Sequence, residues 1–357
     1  MKNIRQIGFL LRQSMSYRRY LYWMIFILLV FLFIFSICSR GIHKDFLTNF
    51  SEDSNTSDNY FESLVVSLKY DDKEKYLVVG HESGKIDIWD AKKALSKREI
   101  KAHEHRANLI AFTSDGNSFF SNSYFETSTK LWSAKTGELL HSIPDTRGPV
   151  CATPSENIYL IANNEHIRFF DNERKLLFPE KYVSDGVVTA IAADNASEQI
   201  AIGTASGSIE IWQFSENKEE PSLRKISSVK PYDIGNWIVG LQFSSNGKNL
   251  YSVARSGSID EWTVSTFEKR RSIGTVLKHI HSVAFLQASE LLALGGTVDS
   301  VGVGASFVEV ISLPTEISRM YIANTKLTVV EFIPPLALLI AAQYKSTKAF
   351  FFPPKPG

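Results

Sequence analysis

Two His-x-His pairs, His103 with His105 and His279 with His281, are the first residues whose spacing suggests chemistry. Side chains two apart on a strand share a face, so two imidazoles can share an ion. No Cys, His or acid cluster at ligand spacing accompanies either pair, and no metal is expected. The segment "GTASG" at 203–207 lacks the spacing of a nucleophile elbow. "GGTVDSVGVGAS" at 295–306 is rich in glycine but has no Gly-Lys-Ser/Thr and no helix after it, which leaves a loop between strands and not a phosphate cradle. The basic run Lys269, Arg270, Arg271 suits an acidic or phosphate group on a partner, or simply a solvated outer strand. The residues therefore point to no catalytic group and no cofactor.

These residues sit in a repeated phrase. Residues 119–140, "FFSNSYFETSTKLWSAKTGELL", read as a strand, a polar turn, a second strand closing on Trp132, another turn and a third strand. "SGKIDIWDAKK" closes its strand on Trp89, "HIRFFDNERK" on Phe170, "SGSIEIWQFSE" on Trp212 and "SGSIDEWTVST" on Trp262. "SFVEVISLPT" and "STKAFFFPP" offer Ile311 and Phe350 or Phe351 as weaker versions. The interval of 38 to 50 residues is that of a propeller of four-stranded blades. Residues 64–357 divide into seven such units, the last of which shows three strands. An open edge there needs a partner, so a strand drawn from residues 44–62 is expected to complete the ring.

The repeat resembles the WD-repeat family over essentially all of 64–357. "AHEHRANLIAFTSDG" places His103 nine residues before Phe112, as in that family's Gly-His opening, with Ala102 where Gly is usual. "KLW" ending at Trp132 is similar to the family's Trp-Asp ending, and Trp89 with Asp90 is the literal dipeptide. The resemblance implies a hydrogen-bonded set of Asp, His, Ser or Thr, and Trp in each blade. Six positions before the tryptophans, where its acid belongs, stand Ser83, Glu126, Ser206 and Ser256. Only the second blade, with Glu126 and His103, is expected to approximate the network. A quinone-type propeller is the competing assignment, since "TKLWSAKTGELLHSI" suits it too. "FSSNGKNLYSVARSGSIDEW" favours the WD-repeat reading.

Ahead of the repeats the composition changes. Residues 1–19 form a basic tail. Residues 20–38, "YLYWMIFILLVFLFIFSIC", carry no charge and as a helix would span roughly 28 Å, the thickness of a bilayer's hydrocarbon, so a transmembrane helix is expected there. Tyr17, Tyr20, Tyr22 and Trp23 cluster at its start. Five basic residues and no acid lie within the first 38, against a nearly neutral flank afterwards, which by the positive-inside rule keeps the N-terminus cytoplasmic and the propeller in a periplasm or lumen. A cleaved signal peptide, an organelle transit peptide and a cytosol-facing propeller are the alternatives. Residues 39–63 are a polar stalk with a possible closing strand. Asn49, Asn55 and Asn195 match the glycosylation acceptor pattern.

With the basic tail set aside the chain is mildly acidic, a poor general binder of nucleic acid. The function expected is that of a membrane-anchored interaction scaffold, a subunit of a larger complex with a protein partner. A hydrolase or ligand-binding site at the mouth of the central channel is the rival. The family's topology puts the loop carrying Tyr232 and Trp237 on the same side as the Gly-rich loop. Large aromatics beside adaptable loops are the composition of binding hot spots, so Tyr232, Trp237, Arg270 and Arg271 are the candidate partner-binding residues.

Overall fold

The computed structural model describes residues 64–351, apart from 91–95, 153–157, 172–183, 195–197, 216–221, 300–305, 323–326, 334–337 and 344–345. All described residues belong to one compact unit.

Short β-rich runs stopped by Gly, Asp or Lys fold as consecutive antiparallel hairpins, because each run is too short to leave its own neighbourhood. The first sheet has the order β1 (Val65–Tyr70), β2 (Tyr76–His81), β3 (Lys85–Asp90), β4 (Ser96–Lys101). The second is β5 (Leu109–Phe112), β6 (Ser118–Asn122), β7 (Ser128–Ser133), β8 (Leu139–Pro144). The third has three described strands, β9 (Val150–Ala152), β10 (Ile158–Asn163) and β11 (His166–Asp171). The fourth comprises β12 (Val188–Asp194), β13 (Gln199–Thr204), β14 (Ile209–Ser215) and β15 (Ser222–Val229). The fifth follows with β16 (Ile238–Phe243), β17 (Asn249–Ala254), β18 (Ile259–Thr263) and β19 (Glu268–Ile273). The sixth is β20 (His279–Leu286), β21 (Leu291–Thr297), β22 (Ser306–Ser312) and β23 (Ser318–Ile322). The seventh has three described strands, β24 (Leu327–Ile333), β25 (Leu338–Gln343) and β26 (Ser346–Phe351). The strand expected to complete it, from 44–62, lies outside the described residues.

Apolar layers between adjacent sheets form the core. Phe169 of the third sheet stacks on Phe214 of the fourth at 5.9 Å, and Phe120 of the second meets Tyr159 of the third edge-on at 5.0 Å. Hydrogen bonds also tie the first strand of one sheet to the first strand of the next or to the residues leading into it. Ser67 Oγ donates to Ala107 O at 2.5 Å, Thr189 Oγ1 to Ile238 O at 2.7 Å, and the amide of Val330 to Ser282 Oγ at 2.9 Å. In five sheets the pairing of first and second strand slips at the same point, between Val65 and Ser67, Val188 and Ala190, Ile238 and Gly240, Ile280 and Ser282, and Leu327 and Val329. A bulge there increases the local twist, which a radial arrangement of blades requires.

The membrane localisation expected from the sequence is corrected here. Among the described residues no helix is long and apolar enough to cross a membrane. The helical content described is one 3-10 turn, Gln287–Ser289, because the repeats alternate apolar residues at the period of strands. The apolar stretch 20–38 falls outside the described residues.

Candidate functional site

Each sheet closes on a large residue in its third strand, and the polar groups beside that residue fix how the loops are held. In the second sheet Trp132, 7% exposed, donates its indole N–H to Ser121 Oγ at 2.9 Å. Ser121 Oγ lies 2.8 Å from His103 Nε2, and His103 Nδ1 lies 2.9 Å from Glu126 Oε2. One tautomer satisfies every partner: Nδ1–H donates to Glu126, Nε2 accepts from the Ser121 hydroxyl, and Ser121 accepts from Trp132. Burial comes first in holding His103 below its ordinary value, which suits this neutral ring. Burial alone would raise Glu126, but the bond from His103, the amide of Glu104 and the charge of Lys130 hold it down to about 2. His103, Glu126 and Trp132 thus come together as the repeat implied.

The fifth sheet builds the same relay from residues the family pattern does not mark. Trp262 donates to Ser252 Oγ at 2.8 Å, Ser252 Oγ is 3.1 Å from the Tyr232 hydroxyl, and that hydroxyl donates to Asp260 Oδ2 at 2.8 Å. Ser272 Oγ donates to Asp260 Oδ1 at 2.6 Å. Tyr232 therefore takes the place of His103. It is buried, so its expected part in partner binding is corrected: the hydroxyl that would face a partner is spent inside the sheet.

The acid has moved as well. It stands two residues before the closing residue in four sheets, as Asp87, Glu210, Asp260 and Glu309, all buried. Asp87 Oδ2 is 3.0 Å from His81 Nε2 in the first sheet, which ends on the half-buried Trp89 and on Asp90. Trp212 donates directly to Glu210 Oε2 at 2.9 Å, while Lys225 Nζ and the amide of Asp185 reach Oε1 at 2.7 Å. Thr275 Oγ1 donates to Glu309 Oε2 at 2.5 Å. In the second sheet this position is Lys130, whose Nζ bonds Ala102 O at 2.6 Å, and in the third it is Arg168, ahead of the buried Phe170. The x-acid-x-Trp signal was visible in "KIDIW", "SIEIW" and "SIDEW".

These networks anchor loops. Gly84, Gly207 and Gly257 open the third strand of their sheets at φ of 81°, 84° and 97°. A Cβ at any of them would collide with the incoming loop backbone, at the carbonyl oxygens of His103, Tyr232 and Leu277 respectively. The Ser-Gly of these three repeats is thus where the loop from one sheet to the next passes over the hairpin.

Because strands alternate in direction, the turns between second and third strands and the connections between sheets emerge on one face. The other turns emerge on the opposite face. Of the twelve large hydrophobic residues exposed among the described residues, seven lie in loops of the first face: Tyr124, Phe125, Val187, Ile234, Trp237, Val276 and Val298. Four lie on outer strands, and Ile317 alone lies in a turn of the opposite face. Within the first face Phe125 and Ile234 are the most open, at 67% and 84%. The His105 ring packs on Phe125 at 5.5 Å. Trp237 is 43% exposed, with the Arg255 guanidinium 4.8 Å from its ring centre.

Arg270 and Arg271 lie on the outer strand β19. Arg270 Nη1 is 2.7 Å from Glu261 Oε1 and Arg271 Nε is 2.5 Å from Oε2, so both neutralise a fully buried carboxylate. Arg271 also reaches Glu316 and Leu313 O. The rings of His279 and His281 stand 6.3 Å apart, and His281 Nε2 meets Leu327 O at 2.8 Å. Among the described residues no group of three or more His, Cys, Asp or Glu is placed to hold a metal ion.

No protein-family model matches the chain. It is 23% identical over 228 residues to the nuclear distribution protein nudF of Aspergillus niger, which covers 57% of this chain and 49% of that protein. It is 24% identical over 213 residues to a WD repeat-containing protein 91 homolog of Dictyostelium discoideum, covering 59% of this chain and 22% of that one. The chain thus spans about half or less of the length of these curated relatives. Among solved structures it matches the β-propeller domain of Cps50 (Swd1) from Myceliophteria thermophila with a TM-score of 0.66 at 17% identity, over 82% of this chain and 98% of that one. The fold is an all-β propeller, and its resemblance in sequence is to WD-repeat proteins.

Proposed function

We propose that this chain is a protein-interaction scaffold within a larger assembly, its seven sheets the blades of one ring and its partner seated on the face that carries Phe125, Ile234 and Trp237. The observation that carries the reading is the asymmetry of exposed apolar side chains among the described residues: seven in loops of this face against one turn residue on the other. Such residues, raised on turns whose bases are pinned by buried hydrogen bonds, offer contact area at little cost in ordering. The partner is a protein and not nucleic acid. The basic run on β19 is spent on buried Glu261 and Asp260, with Lys269 Nζ 3.8 Å from Asp260 Oδ1.

The test is quantitative co-purification from cross-linked cells with Phe125→Asp and Ile234→Asp, beside Ile317→Asp on the opposite face. Proteins lost with the first two and kept with the third support the reading. Loss with Ile317→Asp alone contradicts it.

A further inference from the structure

Arg255 sits where two of the exposed loops meet. Its amide donates to Trp237 O at 2.9 Å, and its own carbonyl accepts from the amide of Ile280 at 2.7 Å, so its backbone joins the loop before β16 to the start of β20. The turn is fixed from the side as well: Asn236 Nδ2 donates to Ser256 Oγ, and the amide of Ser256 donates to Asn236 Oδ1, both at 2.8 Å. The guanidinium lies against the Trp237 ring, and Nη2 is 3.0 Å from His279 Nε2. An arginine cannot accept a hydrogen bond, so His279 accepts and is neutral at that nitrogen. Burial first, then the Arg255 charge, keep His279 below its ordinary value.

Three other arginines of this protein meet carboxylates: Arg106 with Glu82, Arg270 and Arg271 with Glu261. Among the described residues no carboxylate lies within ion-pair distance of Arg255. A guanidinium has five N–H donors in a planar fork. Stacking on an indole and one bond to an imidazole leave part of the fork unused and hold the rest in place. Exposed Ile234 and Val276 lie in the loops on either side.

We propose that Arg255, with Trp237 as its platform, is the subsite that receives a Glu or Asp carboxylate from an acidic segment of the protein partner, an apolar neighbour of that carboxylate resting on Trp237 and Ile234. The charge is right for a carboxylate more than for a phosphate. One guanidinium stands beside a neutral histidine, with Asp299 near enough to act on that histidine, whereas a dianion draws several cations. This inference rests on the reading of the face as a docking surface.

Fluorescence anisotropy with the full-length chain tests it, using labelled short peptides that alternate Glu with Leu, Lys with Leu, and phosphoserine with Leu. The Glu peptide is expected to bind best. Arg255→Gln is expected to weaken it by about tenfold or more, as removal of a hydrogen-bonded charge does, and Trp237→Ala to weaken it less. Lys135→Glu, in a turn of the opposite face, should leave it unchanged. A Glu peptide that binds folded Arg255→Gln as well as the parent overturns the proposal, as does equal binding of the Lys peptide or tighter binding of the phosphoserine peptide. If Phe125→Asp and Ile234→Asp still lose their cellular partners in that event, the docking face stands and the carboxylate subsite falls.

Discussion

Lys69 Nζ lies 2.9 Å from Glu331 Oε2, although 262 residues separate the two in sequence. Lys69 is on β1 and Glu331 on β24, so the pair joins the first described sheet to the last. Burial raises Glu331 above its ordinary value, and the Lys69 charge only partly offsets this. Lys69→Met should therefore cost more than Glu331→Gln, about 1–3 kcal/mol against nearly none, because the first leaves a buried carboxylate unpaired. Thermal melts of the two variants check the order. The folded pKa is the raised one, so this site's contribution is largest below the ordinary carboxylate value of 4.5 and is lost as pH rises through the folded value. Glu331→Gln should remove that slope.

Ser121 is the hub of the second sheet, and it is fully buried. Ser121→Ala removes the acceptor of the Trp132 indole and the donor to His103 together, with an expected loss of about 1–3 kcal/mol. Trp132→Ala creates a cavity in addition and should cost about 3–5 kcal/mol. Chemical denaturation measures both, and a Ser121→Ala protein as stable as the parent would remove the relay from the account.

Acid should loosen the same sheet. Glu126 is depressed to about 2, so its stabilisation is present above 4.5 and is lost as pH falls toward 2. His103 is also depressed: the unfolded chain binds its proton first, and stability drops as pH falls below 6.5. Both act in one direction. Glu126→Gln should shrink the carboxylate part of the change, as seen by following denaturation midpoints between neutral and acid pH.

Tyr232→Phe separates structure from binding in the fifth sheet. Removing the hydroxyl deprives Asp260 and Ser252 of a partner in a buried place and should cost about 1–3 kcal/mol. Partner recovery by the folded variant should match the parent. A variant of full stability that loses its partner would reverse the placement of Tyr232.

What the sequence shows and hides follows from how each signal arises. The strand-closing residues Trp89, Trp132, Phe170, Trp212, Trp262 and Ile311 were legible because a blade needs one large side chain at a fixed place, and period and type survive where polar detail does not. The second sheet's relay was legible because His103 and Glu126 keep their residue types. The fifth sheet's relay was not: Tyr232 and Asp260 reproduce it with a different donor, and with an acid brought in from two residues before the tryptophan. Phe125 and Tyr124 looked like part of a turn, since exposure belongs to the packed molecule and leaves no mark in a local pattern. The ring's closing strand and the stretch 20–38 lie outside the described residues.

The docking face is tested most directly by hydrogen exchange of the chain with and without a co-purified partner. The account expects slowed exchange at 123–127, 230–237 and 274–279, with 134–138, 264–267 and 313–317 unchanged. Protection confined to the second group, with Phe125, Ile234 and Trp237 left as open as in the free chain, would contradict it.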